Sequence, residues 1–581
     1  MSQINNPIVK EINYSSEMLK SSIEEWKIAD NGKYLLSYPT VYIINDKANR
    51  QKFNVYVGET ADIQGRTNQH LLNDVRTKDY WQEFYQSPTS SMYVIGHHFF
   101  NKSLTLDIEN KLMHFLSSVD NVGTVFNGRT NQQNEYYTSE KLDEIFSKIW
   151  RELHRNNKDL FPLESVIRDS AIFKASPFHK LTSEQITAKN EIISKVQHAV
   201  QEDLSNQLIL VDGQAGSGKT VLMSSLFFEL RQMFEKEFSN GLRSYLLVNH
   251  DEQLKVYEQI ANKLGLNPKK EKVINKPTSC INNHDPEDKV DVVIVDEAHL
   301  LLTQGKQSYQ GKNHLKDLIE RAKVVVAVFD KNQILSREQV WEEDELARLI
   351  NDTKEHDNYI ALRNQMRINA SEETVRWIRT LIDSGVVGNV PHDKKGYDIK
   401  LFDNPRELHE EIKKKSKDMN SGLSRLVATF DWPYNGNKKP EDLAYWCVKI
   451  DEWSLPWNKQ LSRDRKYKNV SWAEQPQTID EVGSTYTIQG ADLNYVGVII
   501  GPSVKYCNGQ IIFDEKESEN KKATQKRTLS NNEKKSFAKE LLKNELNVLM
   551  TRGVNGLYIY AVDDALREVL YQAMRGELTD E

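Results

Sequence analysis

Cysteine is scarce: the 581 residues contain only Cys280, Cys447 and Cys507, far apart, which excludes a disulfide framework and any CxxC zinc or iron–sulfur site. Long apolar runs are missing too. The longest are strand-sized, VVIV at 292–295 and VVVAVF at 324–329, well short of the roughly 18 residues of a spanning helix. No membrane-embedded segment is therefore expected. The N-terminus lacks a basic start followed by an apolar stretch and a small-residue cleavage site, so no secretory signal is expected and the cytoplasm is the default location. An excess of positive charge is absent, with 77 Lys plus Arg against 84 Asp plus Glu and a net charge of -7. Any nucleic-acid site must then be local. There is no repeat of 20–50 residues and no long Gly/Pro-rich linker.

What remains is a globular composition, 38% hydrophobic and 28% charged, long enough for about three or four domains. An apolar run at 40–44, a polar turn and a second alternating run at 53–58 predict a β-hairpin. Helices are predicted over 104–116 and 140–153 from the recurrence of apolar residues. A small α/β domain is thus expected over 1–154, followed by a polar connector over 155–180 that contains Pro162 and Pro177. From 181 onward, strand-like runs at 208–213, 244–250, 291–297 and 324–330 alternate with helical stretches, the pattern of a parallel sheet covered on both faces. Further runs at 425–430, 495–501 and 556–563 predict a second such lobe, so the expected lobes are 181–350 and 351–581. The charged stretch 516–535 reads as a solvated loop.

The strongest motif is GQAGSGKT at 213–220, between a strand-like run and a helix-forming one. Gly213, Gly216 and Gly218 let backbone N–H groups face phosphate oxygens, Lys219 brings charge to the β- and γ-phosphates, and Thr220 can ligate Mg²⁺. ATP is the expected cofactor. VVIVDEAHLL ends a strand in Asp296, suited to the magnesium shell, and Glu297, suited to activating water; an ordinary strand-end acidic pair is the alternative. His299 beside them carries no assignment.

These residues resemble superfamily 1 helicases, in detail the bacterial Schlafen-like helicase family, over about 181–565. The resemblance implies two RecA-like lobes. It also assigns Gln185 to adenine recognition, Asp330 and Gln333 to γ-phosphate sensing, and Arg367 and Arg552 to arginine fingers. Thr487, Gln489 and Gly490 match the fifth motif, where Gly490-Ala491-Asp492 replaces the usual Gly-x-Glu and puts the ribose contact in doubt. Two guanidinium groups closing on the phosphates would couple hydrolysis to lobe motion.

An insert at about 430–480 holds half of the 10 tryptophans: Trp432, Trp446, Trp453, Trp457 and Trp472. Tyr434, Tyr445, Tyr467, Arg463, Arg465, Lys466 and Lys468 interleave with them. Two readings stand side by side, a surface that stacks bases and tracks phosphates, or the aromatic core of a small subdomain.

The N-terminal hairpin carries Tyr42 on one strand and Tyr56-Val57-Gly58 on the other, followed by Arg66 and His70 four residues apart on one helix face. Glu109 lies beside the apolar stripe of a later helix. A carboxylate holding one divalent ion, an arginine neutralising phosphate and a tyrosine positioning or deprotonating water would suffice for phosphodiester hydrolysis; a Glu109–Arg66 salt bridge is the structural alternative. Residues 38–130 resemble a GIY-YIG nuclease, with Thr40-Val41-Tyr42 where Gly-Ile-Tyr is usual. The resemblance makes Tyr42 and Tyr56 the signature tyrosines, Arg66 the phosphate arginine, His70 its companion, Glu109 the ligand of Mg²⁺ or Mn²⁺, and Asn127 the terminal asparagine.

The sequence therefore predicts an α/β protein in which an ATP-driven translocase or helicase is joined to a metal-dependent endonuclease. Its expected partner is nucleic acid, DNA ahead of RNA, and a role in anti-phage defence follows by analogy. The rival expectation is an ATP-gated binding module whose nuclease-like domain is inert.

Overall fold

The computed structural model describes residues 6–48, 52–127, 133, 136–168, 170–237, 242–266, 272–306, 309–417, 422–441, 443–467 and 470–578. They form two units, Met1–Lys180 with Val256–Val273, and Leu181–Lys255 with Ile274–Glu581.

In the first unit the expected hairpin is β2 (Thr40–Ala48) against β3 (Lys52–Thr60), after β1 (Ile8–Asn13). With β4 (Ser91–Gly96) and β5 (Val122–Phe126) they make a sheet of order β1-β4-β2-β3-β5, antiparallel except for β3 with β5. Tyr42, Ile44 and Tyr56 join Met92 and Val94 in one core with Trp26 from the helix Ser16–Ile28 and with Trp81 and Phe84 from the helix Asp79–Gln86. The helix Lys102–Ser118 packs on β3 and β5.

Residues 155–180 are not the polar connector expected from the sequence. Leu160 and Phe161 are fully buried, Phe161 meets Tyr93 and Trp150 edge-on, and Phe173 stacks on His114. Pro162 contributes its carbonyl to Trp150 Nε1 at 2.8 Å. Apolar residues spaced irregularly among polar ones fill the unit's core without the periodicity that marks a long helix.

The second unit contains two parallel sheets. The first uses β6 (Gln207–Gly213), β7 (Ser244–Val248), β8 (Ile274–Asn275), β9 (Val290–Asp296), β10 (Ala322–Phe329) and β11 (Tyr359–Leu362) in the order β11-β6-β10-β9-β7-β8. Val292 to Val295 and Val324 to Val328 are almost wholly buried, as expected of strands covered on both faces. The second lobe begins with β12 (Asp398–Leu401) and β13 (Ser424–Ala428), followed by the antiparallel pair β14 (Cys447–Ile450) and β15 (Trp453–Pro456). Its sheet is completed by β16 (Leu493–Ile500) and the strand Gly553–Ala561, which lies between β12 and β16.

The stretch 516–535 is more than a solvated loop. Ala523 is buried, and Arg527, 4% exposed, donates to Thr303 Oγ1 at 2.6 Å and to the Arg337 carbonyl at 3.1 Å. Arg337 in turn donates to the Lys522 and Lys526 carbonyls, both at 2.9 Å, and Ser530 N donates to Glu342 Oε1 at 2.8 Å, so hydrogen bonds that net composition cannot reveal fasten the charged segment to the first lobe. Among the described residues, no helix is long and apolar enough to cross a membrane.

Candidate active sites

The pairing of β2 with β3 sets Tyr42 opposite Gly58 and Ile44 opposite Tyr56, so both tyrosines project to one face, their rings stacked with centroids 6.1 Å apart. Gly58 is required by the close approach: a Cβ there would lie 2.5 Å from the Tyr42 hydroxyl. Thr40, where the first signature glycine is usual, is 1% exposed, and its hydroxyl donates to the Thr60 carbonyl at 3.4 Å.

The helix Ile63–Leu72, capped by Asp62 on the Gly65 N–H at 2.9 Å, delivers Arg66 and His70 to the same place. Tyr42 Oη and His70 Nε2 are 2.8 Å apart, and His70 Nδ1 is 2.6 Å from Asp74 Oδ2. An ionised carboxylate only accepts, so His70 Nδ1 carries the hydrogen and Nε2 accepts from the tyrosine. Burial, aided by Arg66, lowers His70 to about 4 in spite of Asp74. Burial also pushes both tyrosine hydroxyls up, opposed by the Arg66 guanidinium that reaches each of them.

Glu109 enters from the helix Lys102–Ser118. Burial, with Glu59 close by, pushes its carboxyl up to about 8. Asn127, with φ of 71°, donates to Glu109 Oε1 at 3.1 Å and to the Val57 carbonyl at 2.7 Å. The six residues expected to form a nuclease centre thus come from two strands, two helices and the end of β5. Asp74, which orients His70, and Glu59, the second carboxylate, went unnoticed in the sequence; Asp74 stands four residues after His70, the spacing that could have flagged it.

In the second unit β6 runs into the phosphate loop and the helix Lys219–Glu237 follows. Gly218 has φ of 72°, a left-handed conformation, and a Cβ there would sit 2.2 Å from Gln185 Nε2. Gln185 is committed to this loop: it completes a capping box with Thr182 and donates to the Ser217 and Gly218 carbonyls, both at 3.2 Å. Lys219 Nζ donates to the carbonyls of Gly213 and Gln214 at 2.7 and 2.8 Å and lies 3.7 Å from Asp330 Oδ2.

Parallel pairing of β6 with β10 and β10 with β9 brings the carboxyl ends of these strands together. Asp296 is fully buried at the end of β9, and Glu297 follows with φ of 52°. Burial would push Glu297 up, but His299, Lys219, Arg552 and Arg367 outweigh it and hold the carboxyl below its ordinary value. His299 Nε2 lies 3.0 Å from Glu297 Oε2, a contact that the sequence left without assignment.

From the second lobe, Arg552, 1% exposed, donates to Gln333 Oε1 at 3.1 Å, while Gln333 donates to Asp330 Oδ2 at 2.7 Å. Burial and the neighbouring Arg367 lower Arg552 to about 9. Arg367 Nε lies 2.5 Å from Asp492 Oδ1, so the shortened carboxylate of the fifth motif faces an arginine in this structure. Gly490 stands near Gln253, whose Nε2 donates to Asp296 Oδ2 at 2.6 Å and Thr220 Oγ1 at 3.4 Å. The Thr220 hydroxyl, the Asp296 carboxylate and the Gln253 carbonyl oxygen, buried with no hydrogen-bond partner, are a donor set that suits a phosphate-bound magnesium ion.

The aromatic insert is a core. Trp457 and Trp472 are 0% and 1% exposed, and Trp432 and Trp453 are buried as well. Trp457 packs against Phe430, Trp432 and Tyr434, and Trp472 Nε1 donates to Glu481 at 2.8 Å. Rings so enclosed cannot stack on bases; Tyr445, Arg463 and Arg465 are exposed. The Lys466 side chain and Lys468 lie outside the described residues.

Residues 206–563 match the family model described as Schlafen group 3, DNA/RNA helicase domain. An uncharacterized protein of Saccharomyces cerevisiae is 34% identical over 428 residues, 67% of this chain and 90% of that protein. Among solved structures, the Pif1 helicase from Candida albicans aligns at 12% identity with a TM-score of 0.25, covering 67% of this chain and 96% of that one. A Pif1 helicase structure concerned with unwinding of forked DNA aligns at 11% and 0.25, covering 67% and 94%. Together with the phosphate loop at the head of a parallel sheet, the family match over most of the chain gives the conclusion that this protein belongs to the Schlafen group 3 helicase-domain family.

Proposed function

We propose that the chain is an ATP-driven nucleic-acid translocase or helicase joined to a metal-dependent endonuclease of the GIY-YIG type, the nuclease in the first unit and the motor in the second. One observation carries the motor: Lys219, Asp296, Glu297, Asp330, Gln333 and Arg552, drawn from both lobes, are all buried and connected by contacts at the carboxyl ends of the strands. In this reading Lys219 neutralises the terminal phosphates, Thr220 and Asp296 hold Mg²⁺, Glu297 takes a proton from water, and Arg367 and Arg552 stabilise transferred charge. The nuclease rests on the convergence of Tyr42, Tyr56, His70 and Glu109, all buried, with the half-buried Arg66 and Asn127. Among the described residues no three His, Cys, Asp or Glu side chains cluster as a metal site. A divalent ion would be held by Glu109, with Glu59 nearby, and by the substrate phosphate itself. Pairing a cutter with a motor fits destruction of invading nucleic acid, by analogy alone.

The test is a panel of single- and double-stranded DNA and RNA, with and without ATP and Mg²⁺ or Mn²⁺, read for phosphate release and for cleavage. Wild-type protein should do both, and Glu109→Gln should stop cleavage while ATP hydrolysis continues. Cleavage with neither metal would leave the ATP-gated binding module as the better reading, and undiminished cleavage by Glu109→Gln would take the metal-holding role away from Glu109.

A further inference from the structure

Gln253 lies on none of the motifs that mark a nucleotide-hydrolysing motor, yet its side chain sits at the centre of one. Register explains how it gets there. β7 pairs with β9 so that Val248 stands beside Asp296, and the chain then turns into the helix that starts at Asp251. The turn is pinned where Asn249 Nδ2 donates to the Leu300 carbonyl at 2.7 Å. Gln253, in the first helical turn and 7% exposed, is thereby laid over the end of β9.

Its amino group contacts Asp296 Oδ2 at 2.6 Å and Thr220 Oγ1 at 3.4 Å, the two side chains suited to magnesium. An ionised Asp296 can only accept, which places nitrogen rather than oxygen on that side of the carboxamide. The other end, Oε1, is buried without a hydrogen-bond partner and lies 3.0 Å from where a Cβ on Gly490 would stand. A buried acceptor left without a donor marks a place where a donor belongs. Next to a hydroxyl and a carboxylate suited to a cation, the donor with the right chemistry would be a metal-bound water.

We propose that Gln253 is a positioning residue for the motor's magnesium. Its amino group holds Thr220 and Asp296 together, and its carbonyl oxygen accepts from the hydrated Mg²⁺ that accompanies a nucleoside triphosphate. One carboxamide supplies a donor to the protein ligands and an acceptor to the metal's water, which neither a carboxylate nor an apolar side chain can do. A Cβ on Gly490 would lie 3.0 Å from Oε1, so the second lobe's Gly490 leaves this acceptor room. The inference rests on the ATP-binding reading of this site.

The experiment is a Mg²⁺ titration of fluorescent-ATP binding to the full chain, in wild type, Gln253→Leu and Gln253→Glu, with melting curves to check folding. Loss of an outer-shell partner of a metal costs about 10–100-fold in metal affinity. Gln253→Leu should therefore raise the Mg²⁺ midpoint by about 10-fold or more while metal-free nucleotide affinity stays within about 2-fold. Gln253→Glu, which keeps an acceptor and adds a charge beside the metal, should bring the midpoint below the wild-type value. Equal midpoints in wild type and both variants overturn the inference and leave the ATP-binding reading intact. Wild-type protein that binds the nucleotide with no Mg²⁺ dependence, or not at all, overturns that reading and this inference with it. Should Gln253→Leu fail to fold, the Gln253→Glu midpoint decides alone: a fall supports the proposal, no shift refutes it.

Discussion

Trp457→Ala separates a structural insert from a nucleic-acid platform. The indole is 0% exposed, its ring centroid is 4.7 Å from that of Phe430, and Nε1 donates to the Pro433 carbonyl at 3.3 Å. Around it lie Leu426 and Ala428 from β13 and Ile499 from β16, so the ring belongs to the core that supports the second sheet. Removing a buried tryptophan side chain costs about 3–5 kcal/mol. For a lobe of this size, that corresponds to roughly 2–4 °C per kcal/mol, or about 6–20 °C in the midpoint of its melting transition. Because a chain of two units need not melt in one step, hydrogen exchange in β13 and β16 should be followed beside the melt; their protection should fall while the first unit's sheet keeps its own. Below the transition, single-strand affinity should change by less than about 1 kcal/mol, whereas a stacking ring would contribute about 1–3 kcal/mol per base. A variant that melts with the wild type but loses binding of that size would refute the core assignment.

In the motor, Lys219→Ala should abolish phosphate release, and Glu297→Gln should leave ATP bound but uncut; filter binding and a phosphate assay check both, and normal turnover in either variant would contradict the assigned roles. Gly58→Ala inserts a methyl group 2.5 Å from the Tyr42 hydroxyl, so the ring must leave His70; about 1–3 kcal/mol of stability and nearly all cleavage should go, with ATP hydrolysis unchanged. Acid sensitivity should trace partly to His314, fully buried, lowered to about 4 by burial, and accepting the Leu302 N–H at Nδ1 over 3.1 Å. Above its unfolded value of about 6.5 the ring is neutral in both states and contributes no pH dependence; between there and about 4 only the unfolded chain takes the proton, so stability falls as pH falls, by about 1.4 kcal/mol per unit. His314→Phe should remove that much slope from a denaturation series, and an unaltered slope would show that the ring titrates normally.

Local features of the chain were sufficient for much of this molecule. The phosphate loop, the strand ending in Asp296 and Glu297, and the hairpin bearing Tyr42 and Tyr56 depend on residues within a few positions of one another, and a strand covered on both faces announces itself by composition. β12 and β11 escaped because four-residue strands are too short to display a period. Whether the insert's tryptophans stack on bases or fill a core was undecidable from sequence, since both uses select the same side chains; burial by β13, β16 and their helices decided it. Likewise, the distant partners that tune the sites, Glu59 for Glu109 and Gln253 for Asp296, are ordinary polar residues until folding places them. Periodicity and motif spacing are properties of neighbours along the chain. Desolvation, charge and hydrogen-bond satisfaction at a buried atom are set by every group that tertiary structure brings within a few ångströms of it, and those groups come from distant segments, Gln253 being 43 residues from Asp296 and Gln333 219 residues from Arg552.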